Sequence, residues 1–304
     1  MKKPGSKPYI VNSISELHRI FSLPKPEHPL ISVIDLKKTH SIASEISDSI
    51  VFNFYSVWLE KDVNTKLRYG QQYFDFEEGA MIFIAPGQVL STYSHPYSPS
   101  GWGLVFHPDF IRNYPLTKTI KTHGYFSYAV NEGLHLSEKE ESIIINLMKN
   151  ILDEYRSVID HFSQDVIVSQ IDTLLNYCNR FYHRQFLTRK NAGNDLLSQT
   201  DTLLSAYFDR KKNEEGLPTV QYLAAQLHVS PNYLSDMLRS QTGQNAQQHI
   251  HHKLIEKAKD LISTTSLSVS EIAFQLGFEH PQSFHKLFKN KTKLSPLAFR
   301  QSFN

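Results

Sequence analysis

The sequence predicts an α+β protein of more than one domain: a β-rich front half, a helix pair behind it, and an all-helical tail. Three observations carry this. Short runs rich in Ile, Val, Phe, Tyr and Trp alternate with turn residues between 31 and 107. From 137 onward the apolar residues recur at steps of three and four. Within the tail, one two-helix unit occurs twice.

The totals set the frame. A length of 304 residues suits one large or two ordinary domains. Forty per cent hydrophobic residues with a mean hydropathy of −0.37 describe a soluble globular protein. No run of about 18 apolar residues is present, so no membrane span is expected. The opening MKKPGSKPYIVN has lysines but no apolar stretch before Pro8 of the kind a secretory signal needs. Cys178 is the single cysteine, which excludes an intrachain disulfide and suits a reducing cytoplasm. Residues 200–304 hold 12 Lys+Arg against 9 Asp+Glu, hence +3. That excess is too small to argue for nucleic acid by electrostatics alone.

The strand candidates are ISVID (31–35), IVFNFYSVWLE (50–60), LRYGQQYFDF (67–76), AMIFIAP (80–86) and GWGLVFH (101–107). Five or more short strands at close spacing predict a small barrel or sandwich. Ser137 and Glu140 then form a capping box, followed by Ile144, Met148, Ile151 and Tyr155 on one stripe. Ile167, Ile171, Leu174, Cys178 and Phe181 make a second stripe. The two helices, within 137–184, are joined by SVIDHF and read as an antiparallel pair. Either stripe suits packing on the barrel or on a second copy of the chain. Cys178 lies on its stripe and reads as a small core residue rather than a nucleophile. LTRKNAGND (187–195) is polar and aperiodic, and reads as a linker.

The repeat sits in 219–243 and 268–293. Leu223, Ala224, Gln226 and Leu227 correspond to Ile272, Ala273, Gln275 and Leu276, and Pro231, Leu234, Leu238 and Thr242 to Pro281, Phe284, Phe288 and Thr292. Each copy has the grammar of a helix-turn-helix, over 219–240 and 268–290. Thr219 and Ser268 are N-cap candidates, the latter with Glu271 in capping-box position. Ala224 and Ala273 are small where helices cross. Gly277, with His228 in the other copy, stands where the first helix must turn left-handed. Pro231 and Pro281 suit the first turn of the second helix. Ile250, Leu254, Ala258, Leu261 and Ile262 place a helix of about 16 to 18 residues between the copies. Such a rod suits two recognition helices about 34 Å apart, one DNA turn.

On these residues, above all LAAQLHVSPNYLSDML, IEKAKDLI, IAFQLGF, FHKLFK and SPLAFR, the segment 196–304 resembles the DNA-binding domain of AraC/XylS-type transcription regulators. The resemblance implies two helix-turn-helix units on a long helix, binding double-stranded DNA. It implies a front domain, here 1–186, with a ligand-sensing or dimerising barrel of the cupin-like kind. It further implies a small-molecule effector, a homodimer, a cytoplasmic transcription activator that meets RNA polymerase, and no cofactor. The chain departs from the family at Lys293, where glycine is common, so the cap there is expected to be built differently. It also departs at Asp236, commonly basic, at Ser283, commonly aromatic, and at Leu254, commonly arginine.

The DNA-facing candidates are Ser230, Asn232, Tyr233, Ser235, Asp236 and Arg239 in the first copy, and Gln282, Ser283, His285, Lys286 and Lys289 in the second. Asn232 and Gln282 suit adenine, Lys286 guanine, and Asp236 cytosine N4. Arg239 and Lys289 suit phosphate. In the front half Tyr55, Trp58, Tyr73, Tyr93 and Trp102 are candidates for a ligand wall. His95 and His107 invite a metal reading, but no closely spaced histidine pair with a carboxylate stands in 30–110. The HIHH at 249–252 falls inside the connector helix and is not read as a metal site. No activated Ser, Cys or carboxylate pair is legible, so no enzyme is expected. The competing readings are a cupin-type enzyme tethered to DNA by its tail, and a DNA-repair protein with a methyl-accepting cysteine.

Overall fold

The computed structural model describes residues 7–39, 49–61, 63–69, 72–76, 79–91, 100–157, 160–188, 190–209 and 216–302; over 63–76 and 190–195, and at Ser91 and Val130, only the backbone is described. The chain divides into two compact units, Met1–Gln185 and Phe186–Asn304.

The first unit opens with β1 (Tyr9–Val11) and α1 (Ile14–Ile20), the helix capped by Ser13, whose Oγ accepts from Glu16 N–H. β2 (Ile31–Asp35), β3 (Ser49–Phe52), β4 (Tyr55–Lys61), β5 (Val63–Tyr69), β6 (Gln72–Phe76), β7 (Ala80–Ile84), β8 (Val89–Ser91) and β9 (Ser100–Phe106) follow. Short helical turns fill 108–132, among them α2 (Leu116–Thr119), and β10 (Leu134–His135) leads into α3 (Glu138–Arg156) and α4 (Ser163–Thr188).

The strands pair as β10-β7-β4-β9-β2, as β1-β3-β8, and as a β5-β6 hairpin. Among the described residues these three sheets do not close on one another, so the expected barrel is corrected to separate sheets. The run 50–60 is two strands rather than one. It breaks at Asn53, whose N–H donates to Val11 O and whose side chain donates to Asn12 Oδ1 at 2.7 Å. β3 thereby joins the small sheet and β4 the large one.

Alternation along the large sheet feeds two cores. Ile34, Trp58, Ile84 and Val105 pack with Val11, Ile50 and Phe52 of the small sheet and with Ile14, Leu17 and Ile20 of α1. The opposite face meets the helices. The Val33 N–H donates to Tyr155 Oη at 2.9 Å, Cys178 Sγ lies 3.9 Å from Met81 Sδ, and Phe83 packs on Tyr125 and Tyr182. The Ser137–Glu140 capping box forms as the spacing predicts, and Ile144, Met148, Ile151 and Tyr155 are all buried. Both apolar stripes are buried within the protomer. They therefore supply no surface for a second copy, and the dimer argument built on them falls.

The second unit is helical. Residues 187–195, expected as a linker, lie in the end of α4 and the start of α5 (Lys190–Phe208), with residue 189 outside the described set. There follow α6 (Val220–Gln226), α7 (Pro231–Thr242), α8 (Ala246–Thr264), α9 (Val269–Gln275), α10 (Pro281–Thr292) and α11 (Pro296–Gln301). Phe284 and Phe288 are fully buried, against Phe278 and Phe299 respectively. Burying each contributes about 1.5–3 kcal/mol before conformational entropy is counted. Arg300 Nε donates to Ile262 O at 3.1 Å, which ties α11 to the end of α8.

Candidate nucleic-acid interface

α6 with α7, and α9 with α10, are the two helix-turn-helix units. Their starts follow the predicted chemistry. Thr219 Oγ1 accepts from Tyr222 N–H, and Ser268 exchanges two bonds with Glu271, at 3.2 and 2.7 Å. The Ser268 N–H bond to its carboxylate pulls the Glu271 pKa below the ordinary value. The turns match bond for bond. Val229 N–H donates to Ala224 O and Phe278 N–H to Ala273 O, each at 3.0 Å. His228 and Gly277 occupy the left-handed position, with φ of 57° and 94°. Pro231 and Pro281 take the first helical position, where a missing N–H costs nothing.

The ends of the recognition helices also match. Thr242 Oγ1 donates to Leu238 O and accepts from Gln244 N–H; Thr292 Oγ1 donates to Phe288 O and accepts from Leu294 N–H. Gly243 and Lys293 are both left-handed, at φ 76° and 65°. Lys293 thus adopts the geometry a glycine would, which corrects the expectation of a differently built cap.

The connector α8 has 19 residues, about 28 Å at 1.5 Å per residue. It starts in a capping box of Asn245 with Gln248 and buries Ala246, Ile250, Leu254, Ile255, Ala258 and Ile262. Leu261, assigned to that stripe, is only half-buried. Leu254 is fully buried, which explains a leucine at a place the resemblance gives to arginine. The three histidines of HIHH turn to separate partners: His249 to Thr242, His251 to Gln247, His252 to Glu256.

On α7, Leu234, Met237 and Leu238 face inward, Asn232 and Arg239 are exposed, and Ser235 and Asp236 are half-buried. Ser230 is engaged as N-cap, accepting from Tyr233 N–H at 3.2 Å. The Tyr233 ring meets Phe186 edge-on at 5.2 Å, so its body is anchored rather than presented. On α10, Gln282, Ser283, His285, Lys286 and Lys289 are all exposed around Phe284 and Phe288. The feature missed in the sequence is an ion pair: Arg239 Nη1 donates to Asp236 Oδ1 at 2.8 Å. Its signal was present, an acid and a base three residues apart on one helix.

The front-half candidates do not converge. Trp58 is buried against Phe21 on the α1 side of the sheet, where it is a core residue and not a ligand wall. Tyr55 stacks on Phe106 on the helix side, and Lys149 Nζ sits 5.9 Å from the Trp102 ring centroid. The Tyr73 side chain, Tyr93 and His95 lie outside the described residues. His107 is occupied in a turn, its Nδ1 accepting from Asp109 N–H. Burial pushes the Cys178 thiol far up, and its side chain is fully enclosed. No helix among the described residues is long and apolar enough to cross a membrane.

Two helix-turn-helix units of matched turn and matched recognition-helix end, joined by one helix, define a double helix-turn-helix domain. The comparisons place it. Residues 223–302 match the family model described as Helix-turn-helix domain. The "Uncharacterized HTH-type transcriptional regulator YfiF" of Bacillus subtilis is 27% identical over 148 residues, 49% of this chain and 44% of that protein. The "HTH-type transcriptional activator RhaR" of Cronobacter sakazakii is 30% identical over 84 residues, 28% of this chain and 30% of its own length. Among solved structures, the C-terminal domain of the two-component response regulator yesN from Fusobacterium nucleatum is 31% identical, covering 33% of this chain and 96% of its own, with a TM-score of 0.29. This chain thus spans less than half the length of these two curated relatives. Its C-terminal domain is an AraC-type helix-turn-helix domain.

Proposed function

We propose that the chain is a sequence-specific transcription regulator that seats α7 and α10 in successive major grooves of double-stranded DNA. The observation that carries this is the duplication itself. Two units share a hydroxyl cap on the first helix, turn bonds, a threonine-built end and a buried face, and both hold polar side chains outward on the second helix. An outward polar face alone suits any surface helix, whereas two matched copies on one connector suit two grooves about one helical turn apart.

In this reading Asn232, Ser235, Asp236 and Arg239 meet one block of base pairs, Gln282, Ser283, His285 and Lys286 meet another, and Lys289 holds phosphate. Ser230 acts through its cap, which leaves backbone N–H groups at the helix start for phosphate. The boundary we propose for the DNA-binding part is the start of the second unit at Phe186. The front unit is assigned a sensing role for a small-molecule effector, without the single aromatic pocket first expected. Activation is proposed in line with the relative named as the transcriptional activator RhaR, and RNA polymerase is the partner that an activator of this chain would need. The methyl-accepting repair reading has no support, because the one cysteine is enclosed.

The test is selection of sites from random duplex DNA by the full chain, followed by affinity at two salt concentrations. Two short preferred blocks about one helical turn apart are expected, with affinity falling steeply as salt rises. Binding with no preferred sequence at either salt would sink the reading.

A further inference from the structure

The two recognition helices differ in charge. α10 carries Lys286, Lys289 and Lys291 and no acid, and all three lysines are exposed. α7 carries one base and one acid, Arg239 and Asp236, and these are joined to each other at 2.8 Å. Asp236 occupies the place that Lys286 holds in the other unit. The helix that the overall pattern offers to DNA is thus electrically neutral in one unit and +3 in the other.

The ion pair has two physical effects. A guanidinium has five N–H donors in a planar fork. One goes to Asp236, and the rest stay available, with the plane held before any DNA arrives. Less side-chain freedom is then lost on binding. The carboxylate acts in the opposite direction on mismatched DNA. Brought into the major groove, it meets acceptors at most base edges, and only a donor such as cytosine N4 satisfies it. On other duplexes the carboxylate, whose charge Arg239 balances, faces further acceptors and gains no second donor, and discrimination against wrong partners is built this way. A lysine in the same place adds attraction to every duplex beside any bond it makes to guanine.

We propose that Asp236 is the specificity-determining positioning residue of the first recognition helix: it holds the Arg239 fork for base reading and penalises duplexes that offer no donor beside it, while the lysines of α10 add attraction that does not depend on sequence to whatever bases that helix reads. This rests on the reading of the chain as a sequence-specific DNA-binding protein.

The experiment uses the full chain as wild type, Asp236→Asn, Asp236→Glu and Lys289→Gln. Each is titrated against the duplex that the wild type selects and against an unselected duplex of equal length, over a range of salt. Asp236→Asn is expected to bind the unselected duplex more tightly, and to lose about tenfold of its preference for the selected one. The lost preference should be confined to base pairs of one block. Asp236→Glu should keep most of the preference, since it keeps the charge. Lys289→Gln should weaken both duplexes in similar proportion and reduce the salt slope by about 0.9. Thermal unfolding confirms that each variant is folded. The proposal is overturned if Asp236→Asn keeps the wild-type preference, or weakens both duplexes alike with Asp236→Glu no better. A wild type that selects no sequence defeats the underlying reading instead, before any variant is compared.

Discussion

The two helix-turn-helix units meet the same backbone requirement with glycine in opposite places. Each needs two left-handed residues, one in the turn and one after the recognition helix. The first unit uses His228 in the turn and Gly243 at the end; the second uses Gly277 in the turn and Lys293 at the end. Space decides where glycine is obligatory. A Cβ on Gly277 would lie 2.5 Å from Gly216 O, whereas one on Gly243 would meet nothing within 4 Å. Gly216 is itself pinned, its carbonyl accepting from Tyr207 Oη on α5 at 2.9 Å. The second turn is therefore built against the Gly216 segment that Tyr207 holds, and the exposed His228 shows that the first has room for a side chain.

The largest test of that contrast is Gly277→Ala. It adds left-handed strain to a backbone clash, and a cost of about 3 kcal/mol is expected from the two together. Hydrogen exchange of the α9 and α10 amides in the full chain should report it, since those helices pack around the turn. A loss below about 1 kcal/mol would mean that the Gly216 segment moves aside and that space is not what fixes this glycine. Gly243→Ala has only the strain to bear. It should cost about 1 kcal/mol, read from the α7 amides, and leave α9 and α10 unchanged. Equal losses at the two glycines would erase the distinction.

Much of the tail was legible because its signals are local. Pro231 and Pro281, the Ser268–Glu271 pair and the matched apolar positions each name a helix end or a face without reference to the rest of the chain. The Lys293 cap was misread because strain against a side chain was weighed and the repeat was not. Thr292 stands where Thr242 stands, and its hydroxyl builds the same end in both units. α5 was missed at its start because KNAGND has no apolar period; the buried Leu204, Tyr207 and Phe208 near its end anchor it. In the front half the individual strands were readable, but the sheet change at Asn53 depends on pairing partners far away in sequence; the opposite faces of Tyr55 and Trp58 follow from their odd spacing in one strand, a local signal the ligand-wall reading did not apply. The candidate interface was readable in the same measure. Exposed polar positions follow from the helical period, while the bond from Arg239 to Asp236 had to be seen.

Helix starts extend the comparison. Ser230 caps α7 with its hydroxyl, whereas His280, in the same place before α10, makes no side-chain cap bond. His280→Ser should therefore stabilise the second unit by about 1 kcal/mol. No gain in α10 protection would show that its φ of −130° holds the side chain out of capping reach. Lys293→Gly should stabilise it by a further amount of about 0.5 kcal/mol, because relief of left-handed strain exceeds the added freedom of the unfolded chain. A neutral result would show that the two cancel.

The smallest expected effect separates the units by pH. Glu271 closes the capping box of α9, and the Ser268 N–H lowers its pKa from the ordinary value. The corresponding place in α6 is Tyr222, a phenol where the other unit has a carboxylate. A depressed folded pKa means the folded state binds its proton less readily than the unfolded chain does. The stability it contributes is present above the unfolded value and is lost as pH falls through the folded one. Between pH 5 and pH 3, α9 amides should lose protection relative to α6 amides, and Glu271→Gln should abolish that difference while keeping a hydrogen-bonding side chain at the same place. Parallel loss in both helices, unchanged in the variant, would assign the acid sensitivity to carboxylates shared by the whole unit and remove this asymmetry from the comparison.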